Sequence, residues 1–237
     1  MTQEYSWKRI RERLALQLPV RVHCRETPDF DWTEMTRLIN VTPFGAGFTL
    51  KRPTEKGRLL HMTIPMPRQL RVFDHVEDQY RIWAIVRHFR NKTTANETGF
   101  EVGVAFIGKR PPASYEGEPW KRYDVSFSAQ QLAVVNETPL SSAGDREYTR
   151  HKIAVDMRVE LFDRNGAVTS TEHTVTENIS SHGATLFTTL EIPVGRFVRI
   201  TSDQYRVTVH AAIRSRGTGA DGVARIDVEF IDKEWPL

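Results

Sequence analysis

Cysteine is all but missing from this chain. The lone Cys24 permits no intrachain disulfide and excludes Cys-rich zinc and iron–sulfur centres. It falls in the strand-like run Val20-Arg-Val-His-Cys24, where an inert, partly buried thiol is the ordinary role. No apolar run approaches the roughly 20 residues that a membrane-spanning helix needs. Residues 1–8 lack the apolar core of a secretory signal, so a cytoplasmic protein without membrane insertion is expected. Long Lys/Arg stripes that track nucleic acid are also missing, and no DNA partner is expected. What remains is an ordinary globular composition, 39% hydrophobic and 27% charged, and 237 residues are enough for two modest domains. The net charge of +3 is uneven: residues 1–113 carry +7 and the rest −4, which permits an anionic partner.

The chain repeats itself. Arg13-Leu-Ala-Leu-Gln-Leu-Pro-Val-Arg21-Val22 aligns with Arg150-His-Lys-Ile-Ala-Val-Asp-Met-Arg158-Val159 at an offset of 137. Asn40 and Gly45 recur as Asn178 and Gly183 at an offset of 138. Val102-Gly-Val-Ala-Phe106 recurs as Ile226-Asp-Val-Glu-Phe230 at 124, so the second copy has a shorter middle. A period this long denotes a duplicated domain rather than a solenoid.

Each copy reads as strands. Residues 16–24 alternate apolar and polar, and Ile153, Val155, Met157, Val159 and Leu161 share one strand face. Asp163-Arg-Asn-Gly166 is a hairpin signal, since Asn-Gly accepts the positive φ of tight reverse turns. Five to six short strands per copy, without helical periodicity, predict an all-β chain of two small antiparallel six-stranded β-barrels. The expected domains are barrel 1 at residues 1–112, a connector and joint at 113–144, and barrel 2 at 145–237. Tyr115, Trp120, Tyr123 and Phe127 make the connector too aromatic for a free linker, so it is expected to pack on the first barrel or the inter-domain surface. Residues 136–144 form the expected flexible joint.

Two constellations carry chemistry. Arg146-Glu-Tyr-Thr-Arg150 precedes Asn178-Ile-Ser180-Ser-His-Gly183, and Arg9-Ile-Arg-Glu-Arg13 precedes Asn40-Val-Thr42-Pro-Phe-Gly45. An arginine fork grips a phosphate or the O6/N7 edge of guanine, and its face stacks on a purine. Asn matches a Watson–Crick edge, the Ser180 or Thr42 hydroxyl adds a bond, and glycine permits positive φ and close approach of a flat ligand. Each piece alone is common: a solvated basic segment, a plain polar turn. Repetition of both, in order and 27–28 residues apart, argues against coincidence. No nucleophile–base pair accompanies them. His151, His182 and His210 have no metal-ligand spacing, and no metal is expected. Asp227 and Glu229 alternate on one strand and read as a solvent-facing pair.

In these motifs each half resembles a PilZ domain, the bacterial receptor module for cyclic di-GMP. That family carries Arg-x-x-x-Arg, Asp/Asn-x-Ser-x-x-Gly and a closing Val-Gly-Val-x-Phe strand on a six-stranded barrel. Copy two has the first two motifs intact; copy one has all three, with Thr42 for Ser. The resemblance covers about residues 8–110 and 145–232 and implies a non-enzymatic cyclic di-GMP effector. By it, Arg146 and Arg150 hold guanine edges and phosphates, Asn178 and Ser180 a guanine edge and nearby polar atoms, and Gly183 admits the base. Arg9, Arg13, Asn40, Thr42 and Gly45 do the same in copy one, ranked lower because of Thr42 and Pro43. Asp145 implies a single ligand in copy two rather than a stacked pair; Lys8 leaves copy one open. The arginine segments are expected to fold over bound ligand, the second one altering the inter-barrel angle. A downstream protein partner is expected but unnamed, and homodimerisation is left open. The competing readings are an interaction adaptor with one or both nucleotide sites vestigial, its partner surface on the aromatic connector, and a single-stranded nucleic-acid binder.

Overall fold

The computed structural model describes residues 14–93, 98–127, 133–138 and 149–237. In the first copy, β1 (Pro19–Thr27), β2 (Phe30–Thr42), β3 (Gly45–Leu50), β4 (Leu59–Ile64), β5 (Tyr80–Thr93) and β6 (Thr98–Gly108) close an antiparallel barrel in the order β1-β2-β3-β6-β5-β4. Val20, Val22 and Cys24 point inward and are fully buried, as their alternation requires. They meet Trp32, Phe48, Phe100 and Phe106 in one core. Burial pushes the Cys24 thiol up to about 12, so it is an inert filler.

The connector folds onto this barrel. A short 3-10 turn (Ala113–Tyr115) leads into a ribbon of β7 (Tyr123–Phe127) and β8 (Ala133–Glu137). Tyr115, Tyr123 and Val125 pack on Leu59, Ile85 and Ala105, on the outer side of the barrel wall. Tyr115 and Tyr123 are each 2% exposed, so these aromatics are spent on packing and offer no partner surface. Residues 139–148, which hold most of the expected joint, lie outside the described residues.

In the second copy, β9 (Asp156–Phe162), β10 (Val168–Ser180), β11 (Gly183–Phe187), β12 (Phe197–Ser202), β13 (Val207–Thr218) and β14 (Ala224–Phe230) close in the same cyclic order. The hairpin between β9 and β10 forms as expected: Gly166 has φ +88°, and the Asp163 carboxylate accepts the Asn165 and Ala167 N–H groups. One expectation fails. Ile153 does not join the inward row of β9 but is 40% exposed, because the lead-in is held differently. The Thr176 hydroxyl donates to the Ile153 carbonyl at 2.5 Å and accepts the Val155 N–H at 2.9 Å, which turns the chain before β9 begins. Among the described residues no helix is long and apolar enough to cross a membrane.

A buried ionic seam joins the barrels. Glu26 on β1 accepts the Arg196 Nε–H at 2.9 Å, the Phe197 N–H at 3.1 Å and the Trp32 indole N–H at 2.9 Å. Arg58, fully enclosed, donates to Glu55 at 2.6 Å and to the Pro119 and Gly195 carbonyls, beneath the Phe197 ring. Glu55 also binds Arg214, which reaches on to Glu229 at 2.7 Å, and Glu229 meets Arg122 of the connector. The β9–β10 hairpin adds Asp163 O to Arg52 at 2.8 Å and Arg164 to Asp29 O at 3.0 Å. Charges this deep cost desolvation, which these ion pairs and hydrogen bonds offset. Gly195, at φ +93°, lets Trp120 lie on the seam: a Cβ there would stand 2.3 Å from the Trp120 side chain.

Candidate functional site

The Asn-x-Ser-x-x-Gly motif of copy two is the β10–β11 corner, where Ser180 pairs with Gly183. The Ser180 hydroxyl donates to the Gly183 carbonyl at 3.2 Å and accepts the His182 N–H at 3.3 Å, so it braces the turn. Gly183 is not at positive φ. Its hydrogen faces β14, and a Cβ would lie 2.4 Å from the Val228 carbonyl. Strand proximity, rather than turn conformation, demands the glycine here. A register shift between Thr176 and Asn178 re-aims the strand: Thr176 and Ile179 are buried while Asn178 faces outward.

The arginine is delivered by the lead-in segment. His151 and Ile179 exchange both backbone hydrogen bonds, at 2.8 and 2.9 Å. This isolated bridge sets Arg150 beside Asn178. Its Nη1 donates to Asn178 Oδ1 and Thr185 Oγ1, each at 2.8 Å, and lies 3.5 Å from Asp227 Oδ1. Asp227 also accepts the Thr185 hydroxyl at 2.5 Å and the Ser215 hydroxyl at 2.6 Å. Burial works against its charge, but these two hydroxyls and Arg150 outweigh it and hold the carboxyl below its usual range. The surrounding cleft, of about 370 Å³, is also lined by Glu177, Arg216 and Arg225. Arg225 is held by Asp221 at 2.8 Å and Glu177 at 3.0 Å, over the Phe187 ring.

Copy one repeats the corner. The Thr42 hydroxyl donates to the Gly45 carbonyl at 3.3 Å and accepts the Phe44 N–H at 3.2 Å. Threonine therefore does what Ser180 does, and its extra methyl costs the turn nothing visible. A Cβ on Gly45 would lie 2.2 Å from the Val104 carbonyl. The same register shift sets Asn40 half-buried against Gly47, and a Leu14–Val41 bridge brings the lead-in alongside. The floor differs, however. Where copy two has Thr185 and Asp227, the paired positions here are Gly47 and Gly103, with the His88 ring lying across Gly103.

Thus Arg150, Asn178 and the Ser180–Gly183 corner come together, and so do Asn40, Thr42 and Gly45. Arg9, Arg13 and Arg146 lie outside the described residues. Asp227 and Glu229 do lie on the outward face of β14, each side chain 39% exposed, but both have partners there: Asp227 lines the cleft and Glu229 belongs to the seam. Thr185, Arg216 and Arg225 carry no motif signal. Asp227 carries one, since it stands where the first copy has the glycine of Val-Gly-Val-x-Phe. Among the described residues no group of three or more His, Cys, Asp or Glu side chains is placed to hold a metal ion.

No family model matches the chain, and no curated protein matches it. Several solved structures align along most of its length at low similarity. The Bacillus subtilis inhibitor of motility (MotI/DgrA) is 10% identical, covering 93% of this chain and 90% of that one, with a TM-score of 0.31. PlzA of Borreliella burgdorferi, in complex with c-di-GMP, is 9% identical over 94% and 84%, with a TM-score of 0.28. YcgR of Escherichia coli, also in complex with c-di-GMP, is 11% identical over 91% and 76%, with a TM-score of 0.28. Likenesses this remote decide nothing about a ligand, and the functional reading rests on the residues themselves.

Proposed function

We propose that this chain is a non-enzymatic receptor for cyclic di-GMP, with one candidate site on each barrel and domain limits near residues 112 and 145. The observation that carries the reading is the convergence of Arg150 and Asn178, 28 residues apart in sequence, through a 2.8 Å hydrogen bond at the mouth of an open cleft. A guanidinium and a carboxamide side by side suit a guanine base joined to a phosphate. In this reading Arg146 and Arg150 take phosphate and guanine in barrel 2, with Asn178 on a base edge and Ser180 and Gly183 shaping the corner. Arg9, Arg13, Asn40, Thr42 and Gly45 serve barrel 1 in the same way. Binding changes the surface offered to a protein partner rather than the angle between barrels, because that angle is held by Glu26–Arg196 and Glu55–Arg214.

Isothermal titration with cyclic di-GMP tests this on the intact chain and on Asn40→Ala combined with Arg150→Ala. Binding to the wild type, weakened in the double variant by about 1.5–3 kcal/mol at the Arg150 site and about 0.5–1.5 kcal/mol at the Asn40 site, is the expected result. A wild type that takes up no ligand, or a double variant that binds equally well, refutes the proposal.

A further inference from the structure

The two candidate sites differ electrostatically along the β14 and β6 walls, where Arg225 and Asp227 of barrel 2 stand in place of Glu101 and Gly103 of barrel 1. Barrel 2 supplies a carboxylate to its own arginine, and barrel 1 has none at the matching place. Along the strand register, Asn178 pairs with Thr185 and Thr185 with Asp227; in barrel 1 the same walk runs from Asn40 to Gly47 to Gly103. Asp227 lies 3.5 Å from Arg150 Nη1 and is fixed there by the Thr185 and Ser215 hydroxyls at 2.5 and 2.6 Å. The other guanidiniums of the cleft are balanced as well, Arg225 by Glu177 and Asp221, and Arg216 more loosely by Glu191 at 4.0 Å.

We infer that Asp227 is a built-in competitor for the Arg150 guanidinium, so that an anionic ligand must displace it before barrel 2 can load. The proposal rests on the receptor reading given above and names how that site is regulated. A phosphate entering the cleft meets a neutralised arginine and a like-charged carboxylate, and both effects oppose binding. Barrel 1 has Gly103 at the place of Asp227 and Glu101 at the place of Arg225, and its Thr42 braces the corner as Ser180 does.

The test is titration of the intact chain with cyclic di-GMP, using wild type, Asp227→Gly, Asp227→Asn and each of these combined with Arg150→Ala. Asp227→Gly installs the residue that barrel 1 has; Asp227→Asn keeps the side-chain shape should glycine loosen the strand. Either change is expected to tighten the Arg150-dependent site by at least about tenfold, the scale of one charge-assisted hydrogen bond set free. An unchanged or weakened Arg150-dependent site overturns the inference and makes Asp227 a ligand-binding group or a bystander. Titration with pyrophosphate separates the two claims. If no protein binds cyclic di-GMP while the Asp227 variants gain Arg150-dependent pyrophosphate binding, the competitor role stands and the receptor reading falls. If the variants gain neither ligand, the competitor role falls.

Discussion

The Glu55 carboxylate of the first copy and the Arg214 guanidinium of the second, 159 residues apart, are bound to each other inside the seam, 4% and 15% exposed. Arg58 grips the same carboxylate from its own side. Glu26, the other buried acid of this seam, is answered by Arg196 and two N–H donors. The two acids sit in opposite balance. Burial dominates at Glu26 and pushes its carboxyl up despite Arg196. At Glu55 burial also pushes up, but Arg214, Arg58 and Arg122 together outweigh it and hold the group at about 2.

That contrast ranks two substitutions. Glu55→Gln leaves Arg58 buried without its counter-charge and Arg214 with Glu229 alone, and is expected to cost about 3–5 kcal/mol. Glu26→Gln removes a charge that the fold already disfavours and is expected to cost clearly less. Chemical denaturation of both variants checks the order; equal losses refute it.

The same acid sets a pH dependence. The pKa of Glu55 is lowered on folding, so its contribution is fully present above the ordinary glutamate range near about 4.3 and is lost as pH falls through about 2. The stability gap between wild type and Glu55→Gln should be level at neutral pH and narrow between about pH 4.3 and pH 2. Denaturation midpoints across an acid series measure it. A gap that widens on acidification contradicts the assignment.

Gly183→Ala and Gly45→Ala are expected to destabilise their barrels by about 1–3 kcal/mol, since the added methyl meets a backbone carbonyl at 2.4 or 2.2 Å. The loss should appear in thermal melts without any ligand present. Unchanged melting would return both glycines to a purely ligand-related role.

Ser180→Ala and Thr42→Val should lower stability by about 1 kcal/mol each, through removal of one bracing hydrogen bond. Thr42→Ser should be neutral in both melting and ligand titration. A large affinity change in Thr42→Ser would mean that the methyl, or Pro43 beside it, does govern the first site.

Much of this molecule is legible in the order of its residues. The inward rows Val20-Val22-Cys24 and Met157-Val159, the Asn165-Gly166 turn and the paired corners follow from period-two alternation and turn chemistry. The seam does not. Glu26, Arg52, Glu55 and Arg58 are charged residues that any pattern places in water, and they are buried where the connector and the second barrel meet the first. Asp227 shows the same limit on a smaller scale. Alternation along β14 gives its face, but only closure of the barrel shows that β11 and β13 bring Thr185 and Ser215 to it.

Arg58 is sheathed by the Pro119 and Gly195 carbonyls and the Phe197 ring, all lying beyond its own barrel. Prising the duplicated halves apart would therefore strip that guanidinium of the Gly195 carbonyl and the Phe197 ring and let water onto it. A calorimeter should record one cooperative endotherm for the whole chain, both barrels melting together.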